Sequence, residues 1–305
     1  MDGIIALWKE RGMTSHDCVF KLRRILQMKK IGHGGTLDPD VDGVLPICIG
    51  KGTKVIEFLQ NNAKVYEGEI TIGFSTTTED RSGEKVVVKA VEQPLTIEVI
   101  DEAMGQMEGL ITQIPPMYSA VKVKGKRLYE YAREGLEVER PKRKAEIFSF
   151  QRTSQPCYHE DTHTQSWRFR VVCGKGTYVR TLAVDTGKVL GYPAHMSDLT
   201  RTASGGLEKE QSFTLQEITD LVEGDDWSFV LPIEKVFDDS YKKLFLTEEQ
   251  YNSVKHGGFL SQEEVGKIKD GEILPVFYHQ QVVGIYENHP TKTNMLKPRK
   301  ILRNE

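Results

Sequence analysis

Apolar positions form one short continuous stretch at the start of the chain and then recur at helical spacing. Residues 3–8 read as a strand. Ser15 then opens a helix that puts Val19, Leu22, Ile25 and Leu26 on one face and is expected to end near Lys30. Residues 31–43 hold too much Gly, Asp and Pro for either element, and an apolar strand is expected at 44–49. Residues 64–74 alternate again, with Val65, Ile70 and Ile72 among polar neighbours, and 75–84 has turn chemistry. Thr96 is expected to cap a short helix carrying Ile97, Ile100 and Met104 on one face.

Further strands are expected at 110–114, 119–123, 144–151 and 167–173, and residues 178–190 have helical period. Thr214 with Glu217, and Thr247 with Gln250, form capping-box patterns, the second before a helix stopped by Gly257-Gly258. Strands at 272–279, 281–287 and 298–303 close the chain. Strands and helices mix without a βαβ rhythm, which predicts an α+β fold with a mostly antiparallel sheet. The acidic, irregular stretch 223–240 marks a boundary, giving units of 1–240 and 241–305, the second small and β-rich.

With 305 residues and 38% hydrophobic side chains the chain can bury a full core. No run approaches the roughly 18 apolar residues of a membrane span, so a soluble, cytoplasmic protein without membrane contact is expected. Cys18, Cys48, Cys157 and Cys173 are too widely spaced for a zinc site or a disulfide framework and read as buried thiols. The net charge of −3 alone argues against a polyanion partner. Its distribution changes that picture: residues 122–144 hold nine basic and four acidic residues. Smaller basic clusters lie at Lys21, Arg23, Arg24, Lys29 and Lys30 and at Lys292, Lys297, Arg299, Lys300 and Arg303. Positive patches on an acidic body suit a polyanion gripped at a few places, although any single cluster reads equally well as a solvated face.

Asp38, Asp40, Asp42 and Gly43 copy the first half of a calcium-binding EF-hand loop, but Ile49 occupies the position that needs a bidentate Glu. Gly50-Lys51-Gly52-Thr53 and Gly174-Lys175-Gly176-Thr177 lack the spacing of a phosphate-binding Walker loop. No metal or cofactor is therefore expected. What remains is Asp38, a carboxylate in a Gly-rich loop stiffened by Pro39. Taken alone, an Asp-Pro pair more often closes a turn.

Five blocks taken together resemble the TruB family of bacterial tRNA pseudouridine-55 synthases. They are Gly32-His33-Gly34-Gly35-Thr36-Leu37-Asp38-Pro39, with Gly43 and Leu45-Pro46 after it; Lys64-Val65-Tyr66; Thr76 to Gly83; Gln113 to Lys122, continuing through Gly125 to Tyr129; and Gly176 to Leu182. They run in family order over about two-thirds of the chain. Glu10, Val41 and Thr186 depart from the family pattern at packing positions. The last unit, with Leu296-Lys297-Pro298, resembles the family's small PUA-type RNA-binding domain.

The resemblance implies a pseudouridine synthase fold and a monomer that acts on the T-arm of tRNA, with no protein partner and no cofactor. It implies Asp38 as the catalytic aspartate, leaving open whether that residue attacks the ribose, attacks the base at C6, or abstracts a ribose proton. It makes Arg180 the partner of Asp38, expected to lower its pKa, and Tyr66 the ring that stacks on a flipped uracil. Tyr178 and Leu199 line the base pocket, where pocket lining and core packing cannot be told apart from sequence. His33 fills the gap left in the RNA stack, or is a loop histidine satisfied locally. Lys9, Lys122, Lys124, Lys126, Arg127 and Arg143 contact RNA, most of them on a clamping insertion near 122–146. Two rival readings, a noncatalytic RNA-folding protein and a two-carboxylate glycosidase, fit Asp38, Tyr66 and Arg180 less well.

Overall fold

In this computed structural model, which describes residues 1–303, the strand Gly3–Lys9 pairs antiparallel along its whole length with Asp42–Ile49. Across the large sheet the order is Gly3–Lys9, Asp42–Ile49, Ala194–Ser204, Lys64–Ile72, Thr164–Cys173, Arg143–Arg152 and Gly109–Gln113. Neighbours in that order are antiparallel except for Asp42–Ile49 beside Ala194–Ser204, where Thr200 stands opposite Asp42 and Arg201 opposite Gly43. The architecture is α+β with a mostly antiparallel sheet, as the mixture of patterns predicts.

Helices cover the sheet by burying the faces their periodicity marks. Ile100 and Met104 of Ile97–Gly105, with Leu182 and Ala183 of Val179–Val189, pack on Ile70, Trp167 and Phe169. At the other end, Val19 and Leu22 of Ser15–Ile25 and Ile218 of Leu215–Glu223 pack on Ile5, Leu7, Leu45 and Ile47. A second sheet of five strands runs Leu244–Phe245, Ile273–Tyr278, Gln281–Asn288, Met295–Ile301 and Leu260–Ser261. Its Phe277, Val282 and Ile285, with Leu302, join Ile4, Val44 and Phe58 in one apolar cluster, so the two sheets share a seam.

Several expectations shift for identifiable reasons. Thr14, not Ser15, caps the first helix, by a capping box with Asp17. That helix stops at Ile25 rather than near Lys30, because Gln27 turns into the left-handed region at φ +50°. The strand expected at 119–123 shrinks to Lys122–Val123, which makes a small hairpin with Lys126–Arg127. Cys157 is exposed, unlike the other three cysteines. The largest omission is Ala194–Ser204, where polar residues and two bulges, at Met196/Asp198 and Arg201/Ala203, break the alternation that marks a strand.

The parallel junction depends on Gly43. Its φ is +129°, and a Cβ there would fall 2.2 Å from the Arg201 carbonyl oxygen. Gly43→Ala is expected to cost about 3 kcal/mol or more, through strained backbone and a clash that no side-chain rotation relieves. Chemical denaturation reads this as a lowered midpoint, and an unchanged midpoint would refute it.

Candidate active site

Asp38 projects from a loop fixed on both sides. Ahead of it, the Leu37 amide donates to Ser15 Oγ at 2.9 Å; behind it, the Gly12 amide and Lys9 Nζ donate to the Pro39 carbonyl at 2.9 and 3.1 Å. The Val41 amide closes a turn onto the Asp38 carbonyl. Lys9 is not on the RNA-facing surface that sequence suggested. It is 0% exposed and also donates to the carbonyls of Glu10 and Met13, because the chain folds back around its ammonium. Lys9→Met is therefore expected to cost about 3 kcal/mol by leaving buried carbonyls unmet, again read by chemical denaturation. A variant as stable as the parent would show that these bonds contribute nothing.

Arg180 Nη2 lies 2.8 Å from Asp38 Oδ2. The guanidinium is fixed by three further groups: the Tyr118 carbonyl accepts at 2.9 Å, the Thr78 carbonyl at 3.1 Å, and Asp80 Oδ2 lies at 3.8 Å. Asp80 is itself held by the hydroxyls of Thr78 and Ser82 and by the Ser82 amide. Asp38, Arg180 and Asp80 thus form a line of alternating charge. The start of the Arg180 helix is clamped by Gln113, whose Oε1 accepts from the Tyr178 amide at 3.0 Å while Nε2 donates to the Tyr178 carbonyl at 3.1 Å.

Burial pushes the Asp38 carboxyl above its usual range; Arg180 pulls it down and Asp80 pushes it further up. The net direction is upward, opposite to the expectation that Arg180 would dominate. The side chain nonetheless keeps 45% exposure toward the pocket mouth, so it is crowded by protein on one side and open to a ligand on the other.

Asp38, Tyr66, Tyr178, Arg180 and Leu199 together line one pocket of about 260 Å³. Val41 joins them, so this departure from the family pattern forms part of the wall. Tyr66 and Leu199 are each 8% exposed, core residues that show one edge to the cavity. His33 lies outside that pocket, in a wider cleft of about 710 Å³ that also reaches Asp38. Its Nδ1 is 2.6 Å from the Gly35 carbonyl, and burial lowers its pKa, favouring the neutral ring. Lys122, Arg127 and Arg133 line the same cleft. Lys124, Lys126 and Arg143 are not part of that lining; Lys126 pairs with Glu134, and Lys124 and Arg143 are exposed.

Sequence reasoning assigned no role to Asp80 or Arg201. Asp80 stood inside a quoted block, and its Thr- and Ser-rich surroundings are the signal of a carboxylate fixed by hydroxyls. Arg201 belongs to the strand that was missed. Asp42 is engaged by Arg11 and by the Thr200 hydroxyl, at 3.1 and 2.6 Å, as part of the sheet edge. Among the described residues no three acidic, Cys or His side chains gather to hold a metal.

Residues 23–179 match the model of the TruB family pseudouridylate synthase N-terminal domain, and residues 180–238 that of the tRNA pseudouridylate synthase B C-terminal domain. The chain is 51% identical over 310 residues to tRNA pseudouridine synthase B of Halalkalibacterium halodurans, covering 100% of this chain and 99% of that one. It is 53% identical over 301 residues to the Streptococcus sanguinis protein of the same name, covering 99% of each. Among solved structures, a chain of a Cbf5–Nop10–Gar1 complex superposes with a TM-score of 0.74 at 26% identity, over 99% of this chain and 85% of that one.

Proposed function

The chain belongs to the TruB family of pseudouridylate synthases, and we propose that it isomerises the T-loop uridine at position 55 of tRNA, with Asp38 as the nucleophile that opens the reaction. The observation that carries this reading is Asp38 held 2.8 Å from Arg180 on the wall of a small pocket that Tyr66 and Leu199 also line. A uridine flipped out of its stack would meet a carboxylate, a flat phenol and apolar walls in one place, which is what base-directed chemistry on RNA requires.

The reaction breaks the bond from N1 to the ribose, turns the base and joins C5 to the same ribose carbon; C5 gives up its proton to solvent and N1 takes one, so atoms balance with no group donor and no change of oxidation state. A positioned carboxylate can begin it by adding to the nucleoside or removing a proton. Arg180 keeps the carboxylate oriented, and the walls exclude water. Tyr66 supplies a stacking face, worth about 1–3 kcal/mol per base.

Beyond the pocket, Lys122, Arg127 and Arg133 in the adjoining cleft suit phosphate contacts that position the T-arm without reading bases. Of the wider basic clusters, the C-terminal one is largely ion-paired, Lys297 with Glu287, Arg299 and Lys300 with Glu57, and Arg303 with Glu234, so its cations reach a phosphate only in exchange for those carboxylates. The unit from residue 241 onward extends this RNA-binding surface, and the protein works as a single cytoplasmic chain.

The test is product analysis. Unmodified tRNA incubated with the purified protein should keep its mass while one T-loop uridine becomes reactive to pseudouridine-specific derivatisation. Unchanged RNA, or release of free base or sugar, would overturn the reading.

A further inference from the structure

Beneath the floor of the pocket lies a buried cation that the reaction as described does not use. Arg201 is 1% exposed and stands directly opposite Tyr66 on the neighbouring antiparallel strand, so the two side chains share one face of the sheet. Its Nε donates to the Val44 carbonyl at 2.8 Å and its Nη1 to the Thr36 carbonyl at 3.3 Å. Gly35 lies across the guanidinium, where a Cβ would fall 3.5 Å from Nη1. Arg201 therefore spans three strips of chain: the catalytic loop two residues before Asp38, the strand that follows it, and the strand that carries Tyr66.

Two features set it apart from a packing arginine. Among the described residues it pairs with no carboxylate, and its buried Nη2 finds no acceptor in good geometry, the Tyr66 hydroxyl being the side-chain group that comes within hydrogen-bonding reach of the guanidinium. A buried charge without a counter-ion is costly, and a buried donor without an acceptor adds to that cost. The Tyr66 hydroxyl lies close enough to feel the guanidinium, which opposes the upward push that burial gives the phenol. Lys64, two residues before Tyr66, does not supply the missing anion; burial and the like charge of Arg201 bring its ammonium down to about 8.

We propose that Arg201 is a positioning residue for the isomerisation, clasping the catalytic loop at Thr36 to the tyrosine strand and holding the Tyr66 hydroxyl in register with a base bound over Asp38. The inference rests on the reading given under Proposed function. Arg201 does not touch the nucleotide; it acts through Tyr66 and through the loop.

The test is a double-mutant cycle in the full chain. Arg201→Met, Arg201→Lys and Tyr66→Phe are made singly and in combination, checked for thermal unfolding, and compared in single-turnover pseudouridine formation and in tRNA binding. Arg201→Met should slow turnover about 10- to 100-fold, the size of effect expected when a reacting group is misplaced, with tRNA affinity within about twofold of the parent. Arg201→Lys, which keeps the charge, should recover part of the loss. In the Tyr66→Phe background either substitution should cost clearly less than it does in the parent, because the hydroxyl it positions is gone and only its hold on the loop at Thr36 remains to be lost. Folded variants with parental turnover, or losses that multiply in full with Tyr66→Phe, would overturn the proposal. Should Arg201→Met fail to fold, the cycle with Arg201→Lys decides by the same criterion. Failure of the parent chain to form pseudouridine would instead sink the functional reading itself.

Discussion

Asp38→Asn is expected to abolish pseudouridine formation, by about 10⁴-fold or more in turnover, while tRNA still binds. The substitution keeps the shape of the side chain and leaves Ser15, Gly12 and Lys9 holding the loop on either side, so the pocket persists. An amide, however, can neither attack carbon nor accept a proton at the rate a carboxylate can. Tritium release from C5-labelled uridine in tRNA measures the loss, and filter binding measures what is kept. A variant that turns over at a tenth of the parental rate would remove Asp38 from the chemistry.

The same substitution has a signed consequence for stability. In the folded chain the Asp38 carboxyl holds its proton more tightly than it would in the unfolded chain, chiefly because of burial. The stability linked to this group is thus fully present below the ordinary carboxylate range and is lost as pH rises through the elevated folded value. At neutral pH the ionised side chain burdens the fold. Asp38→Asn should therefore unfold at a temperature no lower than the parent does.

Arg180→Met should lower turnover about 10²- to 10³-fold, the scale on which removal of one preorganised charge at a reacting centre is felt. It should also move the acid limb of the pH–rate profile upward. Arg180 is the principal group that pulls the Asp38 carboxyl down; without it, burial and Asp80 are opposed only by Lys9, and a higher pH is needed to ionise the residue. Arg180→Lys should fall between parent and Met, since an ammonium cannot reach Asp38, Asp80 and the carbonyls of Thr78 and Tyr118 together. Single-turnover rates across pH measure both effects. An acid limb that stays in place would show that Arg180 does not govern Asp38.

How far the sequence could be read depended on whether a residue's partners were near it in the pattern. Gly3–Lys9 was legible as a short continuous apolar run, buried on both faces, and Lys64–Ile72 and Thr164–Cys173 because one face of each is buried and part of the alternation survives. Ala194–Ser204 did not, because two bulges change its phase and His195, Arg201 and Ser204 occupy buried positions that a hydrophobic pattern assigns to solvent. Asp38, Tyr66 and Arg180 were legible only through resemblance, and nothing in their spacing indicates that they meet. Lys9 was misread for the opposite reason: a lysine beside a basic cluster looks solvated until its three carbonyl partners are seen. The direction of the Asp38 shift also required structure, since burial and the repulsion from Asp80 are properties of three-dimensional crowding.

The first strand is covered by chain made long after it. The Ile4 amide and carbonyl pair with Leu231, the Trp8 amide donates to Phe213, and Ile4 packs with Phe277, Ile285 and Leu302. The strand 3–9 has its main partner, 42–49, close by in sequence, but the contacts along its other side wait for residues 213 and 231 and those of its apolar cluster for residues 277–302. Contacts so distant in sequence slow folding and leave an apolar edge open during synthesis. A chain that lacks residues 231 onward would leave the Ile4 backbone and the apolar cluster around it uncovered, an edge open to pairing with another chain.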